Sequence, residues 1–553
     1  MKVKKIGLVC FLFFFIYQSV FSLPRNVEIE IISDWFKVEK ERRFFPIKIK
    51  LKNNTNTKKY GEFKISLGKY SWSQAFIVLM PNEKKEISYV LAIDGNDYYR
   101  SNININVSIG DIHENRMVEV GDSYSYSSSS KNSLDKSNDI LIVSDPLNLG
   151  LNAATIYYEK NKNLVYCKPA DIPTNQLALS EVDFILIPSS TYQSLSHDMK
   201  QVVDTYVSWG GNLIIVDAAS GDVKDFGMGR KYFYTVSLQK LKELPTFKKS
   251  HALSFYPKNG STFEYHIADG NSFILFLLLL VFVIIIGPIN LFILHRIKRK
   301  VWAVFTIPFI SFSFVFVMVL FAIFSEGFTG NYQSHSFIII NSENRQAIDI
   351  SETRLYSPMA SSNGIRRKLQ SVSYPIAKHL GYSEKNSRSY QVEYEVGAGQ
   401  YLRGDYYISR VDNLFKTYQA LDIKQRFEIK ENVKGIKLLN GFNDELKIVV
   451  YDKKEKKYYS SLEPWKTGEN KLMSLILPDQ KKAFEAIGLP DVYDYNVTSY
   501  MNLCLKDESD FTIEKRNSRY IFIATGKKNP FYKVGVSSVN MQDSHHVIVG
   551  ELK

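Results

Sequence analysis

The chain offers few groups that could carry covalent chemistry. Its three cysteines are Cys10, Cys167 and Cys504. No C-x-x-C spacing joins them, so neither a zinc site nor a dithiol redox centre is expected. Cys10 lies in an apolar leader, and the other two read as small buried hydrophobes. Ser128-x-x-Lys131 has the spacing of a serine nucleophile and a lysine base. It falls inside SYSYSSSSKNSLDKSND, a polar tract with too little apolar surface to hold a nucleophile rigidly. His545 and His546 are adjacent, and successive side chains of a strand point to opposite faces, so the pair cannot share one metal ion. Gly227-Met228-Gly229 could turn amides toward a phosphate. No helix pattern follows it, and the glycines read better as a turn feeding the strand-like KYFYTVSL. What remains is binding chemistry. Ser144, Asp145, Ser189, Ser190 and Asp217 each follow or close a short apolar run, where parallel strands would bring them to one edge as a candidate ligand crevice. Neither a cofactor nor a metal ion is expected.

Those five residues need a particular frame. DILIVSD (139–145), DFILIPSS (183–190) and NLIIVDAAS (212–220) are almost wholly apolar, as strands buried on both faces of a parallel sheet are. Between the last two, LSHDMKQVVDTYVSWGG carries a capping Ser196, apolar Val202, Val203, Tyr206 and Val207 at helical spacing, and a Gly210-Gly211 stop. Strand, helix and strand make a βαβ unit, so residues 139–240 are expected to form a Rossmann-like α/β domain. Before it, residues 23–122 alternate with the two-residue period of half-buried strands (NVEIEII, FPIKIKLKN, EFKISLG, NININVSIG), which predicts an immunoglobulin-like β-sandwich. A Ser-rich linker over 123–138 joins the two. Residues 326–553 return to strand patterns, with another immunoglobulin-like stretch at 438–477, and form a C-terminal mostly-β domain.

Membrane signals set the geography. MKVKKIGLVCFLFFFIYQSVFSLP reads as a signal peptide over 1–22, with Val20 and Ser22 at the −3 and −1 positions. After a connector (241–270), residues 271–294 and 301–325 contain no Asp, Glu, Lys or Arg, and each is long enough to span a bilayer. The six residues between them, HRIKRK (295–300), hold Arg296, Lys298, Arg299 and Lys300. Short loops rich in Lys and Arg stay in the cytoplasm, so both flanking bodies are expected outside. These four charges and Lys2, Lys4 and Lys5 account for seven of a net +13, leaving +6 spread over the rest. Nucleic acid is therefore not an expected partner, since phosphate binding needs clustered cations. The expected partners are the lipid bilayer and other envelope membrane proteins.

DFILIPSSTYQSLSHDMKQVVDTYVSWGGNLIIVDA resembles the core of class I glutamine-amidotransferase-like domains, with the (W/A)GG-x-L-(I/V)-(I/V) phrase after the helix. IIIGPINLFILHRIKRKVWAVFTIPFIS resembles the membrane segment of uncharacterised bacterial envelope proteins that join a leader, a β domain, an amidotransferase-like domain, two spans and a distal β domain. The resemblance implies a cysteine on a Gly-x-Cys-x-Gly elbow with a histidine beside it. No such elbow exists here. Cys167 sits in LVYCKPADIP, His197 starts the predicted helix, and Ser189 and Ser190 lack elbow glycines. The expectation is a non-catalytic binding or assembly protein in the bacterial cytoplasmic membrane, an accessory subunit of an envelope or transporter complex. The rivals are an envelope hydrolase or transferase working through the α/β domain, and a ligand sensor.

Overall fold

The computed structural model describes residues 26–33, 44–67, 70–92, 102–118, 138–143, 162–173, 175–182, 184–219, 221–226, 229–235, 272–326, 330–342, 345–358, 364–368, 371–376, 388–395, 399–409, 411–425, 427–432, 435–460, 463–473, 475–489, 497–498, 501, 519–527, 539–541 and 544–552. The leader, most of the linker, the connector, Ser144 and Asp145 lie outside them, as do Cys10, Cys504, Ser128, Lys131 and Gly227. Among the described residues the protein is mostly strand, arranged in five sheets, with two long apolar helices.

The first stretch supplies β1 (Val27–Ile32), β2 (Phe44–Asn53), β3 (Lys59–Leu67), β4 (Tyr70–Leu79), β5 (Lys84–Ala92), β6 (Ile103–Ile109) and β7 (Ile112–Val118). The two-residue period holds well in β6, where Ile103, Ile105, Val107 and Ile109 are buried and the residues between them are half-exposed. Gly110, at φ 57°, makes the tight turn into β7. Strands β1, β2 and β5 form one antiparallel sheet, and β3, β4, β6 and β7 lie in another that faces it across a common core.

The middle stretch supplies β8 (Asn138–Val143), β9 (Lys162–Cys167), β10 (Phe184–Pro188), α1 (Ser189–Ser194), α2 (His197–Ser208), β11 (Asn212–Val216), β12 (Asp222–Phe226) and β13 (Gly229–Phe233). They build a six-stranded sheet in the order β12-β13-β11-β10-β8-β9, parallel except for the β12–β13 hairpin. Ser196 caps α2 by accepting the Met199 amide at 3.3 Å. Behind the helix the chain must pass close to it. A Cβ on Gly211 would lie 2.3 Å from the Tyr206 ring, and one on Gly229 would lie 2.1 Å from the carbonyl oxygens of Gly211 and Val207.

The apolar hairpin is α3 (Ser272–Ile284), a π-helical turn at Ile285–Ile289, α4 (Asn290–Arg296), a 3-10 turn at Lys300–Trp302, and α5 (Ala303–Glu326). Pro288 has no amide hydrogen to donate, and the widened turn absorbs that loss. The two spans, Phe276–Arg296 and Lys300–Phe321, have 21 and 22 residues, about 30 Å each at ~1.5 Å per residue. Phe282 and Phe314 stack between them at 4.2 Å. The other faces are bare: Phe305, Phe309 and Phe312 are 72%, 72% and 74% exposed. Helices apolar all round belong in lipid or in a core, and no core of described residues covers these.

The last stretch supplies β14 (Gly330–Asn341), β15 (Gln346–Tyr356), β16 (Ile365–Arg367), β17 (Val372–Pro375), β18 (Arg388–Glu395), β19 (Gly399–Gly404), β20 (Asn413–Asp422), β21 (Phe427–Asn432), β22 (Gly435–Asn440), β23 (Lys447–Asp452), β24 (Lys457–Ser460), β25 (Asn470–Met473), β26 (Leu475–Leu477), α6 (Gln480–Ile487), β27 (Tyr520–Gly526), β28 (Val539–Met541) and β29 (His545–Leu552). Most join one ten-stranded sheet, in which β29 runs parallel beside β14. The stretch 438–477 is divided between that sheet and the small β21-β22-β25 sheet facing it across a core.

Three strands go elsewhere. The order β16-β19-β18-β4-β3-β6-β7 puts β18 parallel beside β4, with Tyr390 opposite Trp72 and their rings stacked at 6.4 Å. The sandwich expected over 23–122 is thus not confined to those residues. Among the described residues, the free edge of strand β4 is covered by chain from beyond the hairpin. A second core runs through all three stretches, from Phe44 and Val90 through Leu177 and Trp209 to Phe337 and Ile348. Sheet and core together require strands β2–β7 and β14–β19 to lie on one side of any bilayer that the hairpin crosses.

Candidate functional site

The parallel sheet brings its strand ends to one edge, but the groups there are dispersed. Pro188 pairs with Val216, so Ser189, Ser190 and Asp217 follow at the same level. Ser189 and Ser190 form the first turn of α1 instead of a loop, with Ser190 exposed. Asp217 is exposed at the end of β11 in the left-handed region, φ 55°. The remaining members of that expected crevice, Ser144 and Asp145, lie outside the described residues. No concave site is formed by Ser189, Ser190 and Asp217 among the described residues.

Nor is an activated nucleophile present among the described residues of this part. Cys167 closes edge strand β9, is buried, and donates its S–H to the Lys168 carbonyl at 3.2 Å. Burial, with Asp171 adding to it, pushes the thiol up to about 12, so it stays protonated. Behind the sheet, Asp204 accepts from Tyr192 Oη at 2.8 Å and from Lys231 Nζ at 2.7 Å. Burial and the Asp204 charge both raise the Tyr192 phenol, so this cluster fastens α1 and α2 to β13 and supplies no base.

The histidines behave as their spacing requires, with one addition. His546 is buried while His545 is exposed on the other face of β29. His545 lies beside His335 of β14, ring centroids 5.9 Å apart. Burial, then His545, lowers His335 to about 4 and His546 to about 3. Among the described residues no three His, Cys, Asp or Glu side chains are grouped to hold a metal ion.

A larger concavity lies elsewhere, where described residues of the three stretches meet. A cavity of about 620 Å³ is walled by Gln74 of β4 and the Lys85–Val90 segment of β5, by Asp198, Gln201, Thr205 and Trp209 on or just after α2, and by Gln346, Ser371, Ser373, Gln400 and Asp422 from the C-terminal stretch. That size suits a small ligand. Several contacts fix its walls. Gln346 accepts from Ser208 Oγ at 2.8 Å and donates to Thr205 Oγ1 at 3.0 Å, joining β15 to α2. Gln400 donates to the Lys368 carbonyl and to Ser371 Oγ, both at 2.8 Å. Lys48, almost wholly buried, donates to the Ala170 carbonyl at 2.8 Å and pairs with Glu86 at 3.0 Å, which ties β2 to the middle stretch.

Two residues that border the cavity carry sealed polar atoms: Trp209 Nε1 and Gln74 Oε1 are buried, at residues 5% and 9% exposed, with no hydrogen-bond partner among the described residues. Leaving such a group unsatisfied costs about 1–3 kcal/mol. Sequence reading did not find this site. Gln74 in SWSQAF and Trp209 in VSWGG have no spacing in common, and only the folded sheets bring them to one wall. No protein-family model and no curated protein matches the chain.

Proposed function

We propose that the chain is a membrane-anchored binding protein whose folded body stands outside the cytoplasmic membrane of a bacterium, with the three-way cavity as its ligand site. In this reading it is non-catalytic and serves as an accessory subunit of an envelope or transporter assembly. The observation that carries it is the pairing of β18 with β4. One hydrogen-bonded sheet takes strands from before and after the hairpin, so both flanks share a side, and the basic loop is retained on the other. The six-stranded sheet with its crossover helix is read as an amidotransferase-like, Rossmann-like fold that has lost its nucleophile, and the facing sheets as immunoglobulin-like sandwiches. The protonated, buried Cys167 supports the non-catalytic part.

Thiol labelling with a membrane-impermeant maleimide tests the geography. In a cysteine-free background, Tyr60→Cys and Lys456→Cys should label in spheroplasts, and Lys298→Cys only after permeabilisation. The reverse pattern overturns the proposal. A photo-crosslinker in place of the exposed Phe312 tests the accessory role. Adducts to another integral membrane protein are expected, and adducts to lipid alone would remove that part.

A further inference from the structure

We infer that the tip of the apolar hairpin is a binding site for the phosphate groups of anionic phospholipids, formed by Arg296, Lys298, Arg299 and Lys300. This rests on the reading that the hairpin spans a bilayer, and it adds the headgroup chemistry that the tip selects.

The tip carries four cations that repel one another, and no acid offsets them. Residues 271–325 contain no Asp or Glu, residues 295–300 are all exposed, and none of the four cations is ion-paired among the described residues. The turn also places a lysine where glycine is easiest. The Lys298 amide donates to the His295 carbonyl at 3.0 Å, and the Arg299 amide donates to the Leu294 carbonyl at 3.1 Å. These two bonds close α4 with Lys298 in the left-handed region, at φ 57°. A glycine takes that backbone without strain, so the fold gives up stability to keep a cation at the tip.

Position then selects the occupant. One span ends at Arg296 and the other begins at Lys300, so all four charges lie where both helices leave the hydrocarbon, at the depth of lipid phosphates. Trp302, 54% exposed, is an amphipathic ring of the kind that settles in this layer. The Arg299 guanidinium lies 5.6 Å from the centre of that ring, which holds it at the start of the second span with N–H groups left for a phosphate. The 3-10 turn leading into α5 follows Arg299, whose side chain makes no capping hydrogen bond, so the positive end of the long helix faces the same anions. A zwitterionic headgroup brings its own ammonium to this cluster and an anionic one does not, so each tip charge favours the anionic lipid.

The test uses the full chain in phosphatidylcholine nanodiscs that contain a small fraction of phosphatidylglycerol or phosphatidylcholine brominated on its acyl chains. Quenching of Trp302 is read as the emission of the wild type minus that of Trp302→Phe. Brominated phosphatidylglycerol should quench as though enriched roughly tenfold over brominated phosphatidylcholine. Lys298→Gly should lower that enrichment roughly fivefold, the worth of one charge, while the melting temperature holds or rises because the turn is relieved. Lys298→Arg should retain it. Equal quenching by the two lipids, or an enrichment that Lys298→Gly leaves unchanged, overturns the inference. So does its loss to inorganic phosphate at constant ionic strength, which would make free phosphate the ligand. A photo-crosslinker in place of the exposed Ile297 should give phospholipid adducts in cells, and adducts to protein alone would make an acidic partner the occupant instead. Quenching by neither lipid would overturn the membrane reading together with the inference, whereas equal quenching leaves that reading standing. Both leaflets of a nanodisc are alike, so the result does not depend on which side the body faces, and a failure of the maleimide labelling leaves the lipid preference standing.

Discussion

Two sheets of this molecule are built in opposite ways. The six-stranded sheet is drawn wholly from residues 138–233, each parallel strand finding its neighbour within one short stretch. The seven-stranded sheet draws four strands from before the apolar hairpin and three from after it. The first is a local object that touches other parts at its surface. The second does not exist until both ends of the chain have arrived. Damage to the local sheet should therefore stay local, and damage to the shared one should spread across the hairpin.

Trp72→Ala probes the shared sheet and should have the largest effect, about 3–5 kcal/mol for a buried aromatic. Hydrogen exchange should rise at 388–404 as well as at 59–79. Gly211→Ala probes the local sheet by driving a methyl into the Tyr206 ring, for about 1–3 kcal/mol. Its exchange should rise only around α2 and β13. If the two variants loosen the same amides, the distinction between the sheets is lost.

Acid should act on the ten-stranded sheet. Burial lowers His546 to about 3 in the folded chain, against about 6.5 for an ordinary histidine, so the unfolded chain binds its proton first. The stability it contributes is whole above about pH 6.5 and is lost as the pH falls toward 3. His335, lowered to about 4, adds in the same direction. The melting temperature should fall between pH 7 and pH 4.5, and His546→Gln should make that fall shallower. A fall of unchanged size would show that other groups carry it. The smallest effect is expected from Cys167→Ala, about 1 kcal/mol and no loss of biological activity. Loss of activity with normal folding would revive the enzyme reading.

The same contrast decides what could be read in the sequence. Strands β10 and β11 are near-continuous apolar runs because both their faces are covered, and α2 carries its cap and its glycine stop within its own residues. The hairpin announces itself by composition, and its helices fall within about two residues of the expected limits. In the C-terminal stretch several strands also matched their patterns, but β16 and β17 are only three and four residues long and gave no period to detect. That β18 would pair with β4 is a property of the whole fold, invisible in any window. The cavity escaped for the same reason: Gln74, Trp209, Gln346 and Gln400 come from four separate elements spread over all three stretches. At the sheet edge the five expected crevice residues were placed by strand ends alone, and of the three described, two turned out to open a helix.

The pairing of β18 with β4 also sets a timetable. At synthesis rates of about 5–20 residues per second, the ~300 residues separating the two strands take on the order of 15–60 s to make. Throughout that interval Tyr70–Ser73 waits as a naked strand border while the two apolar helices, candidate membrane spans, are still being made. Such borders invite pairing with other chains until β18 arrives to cover this one.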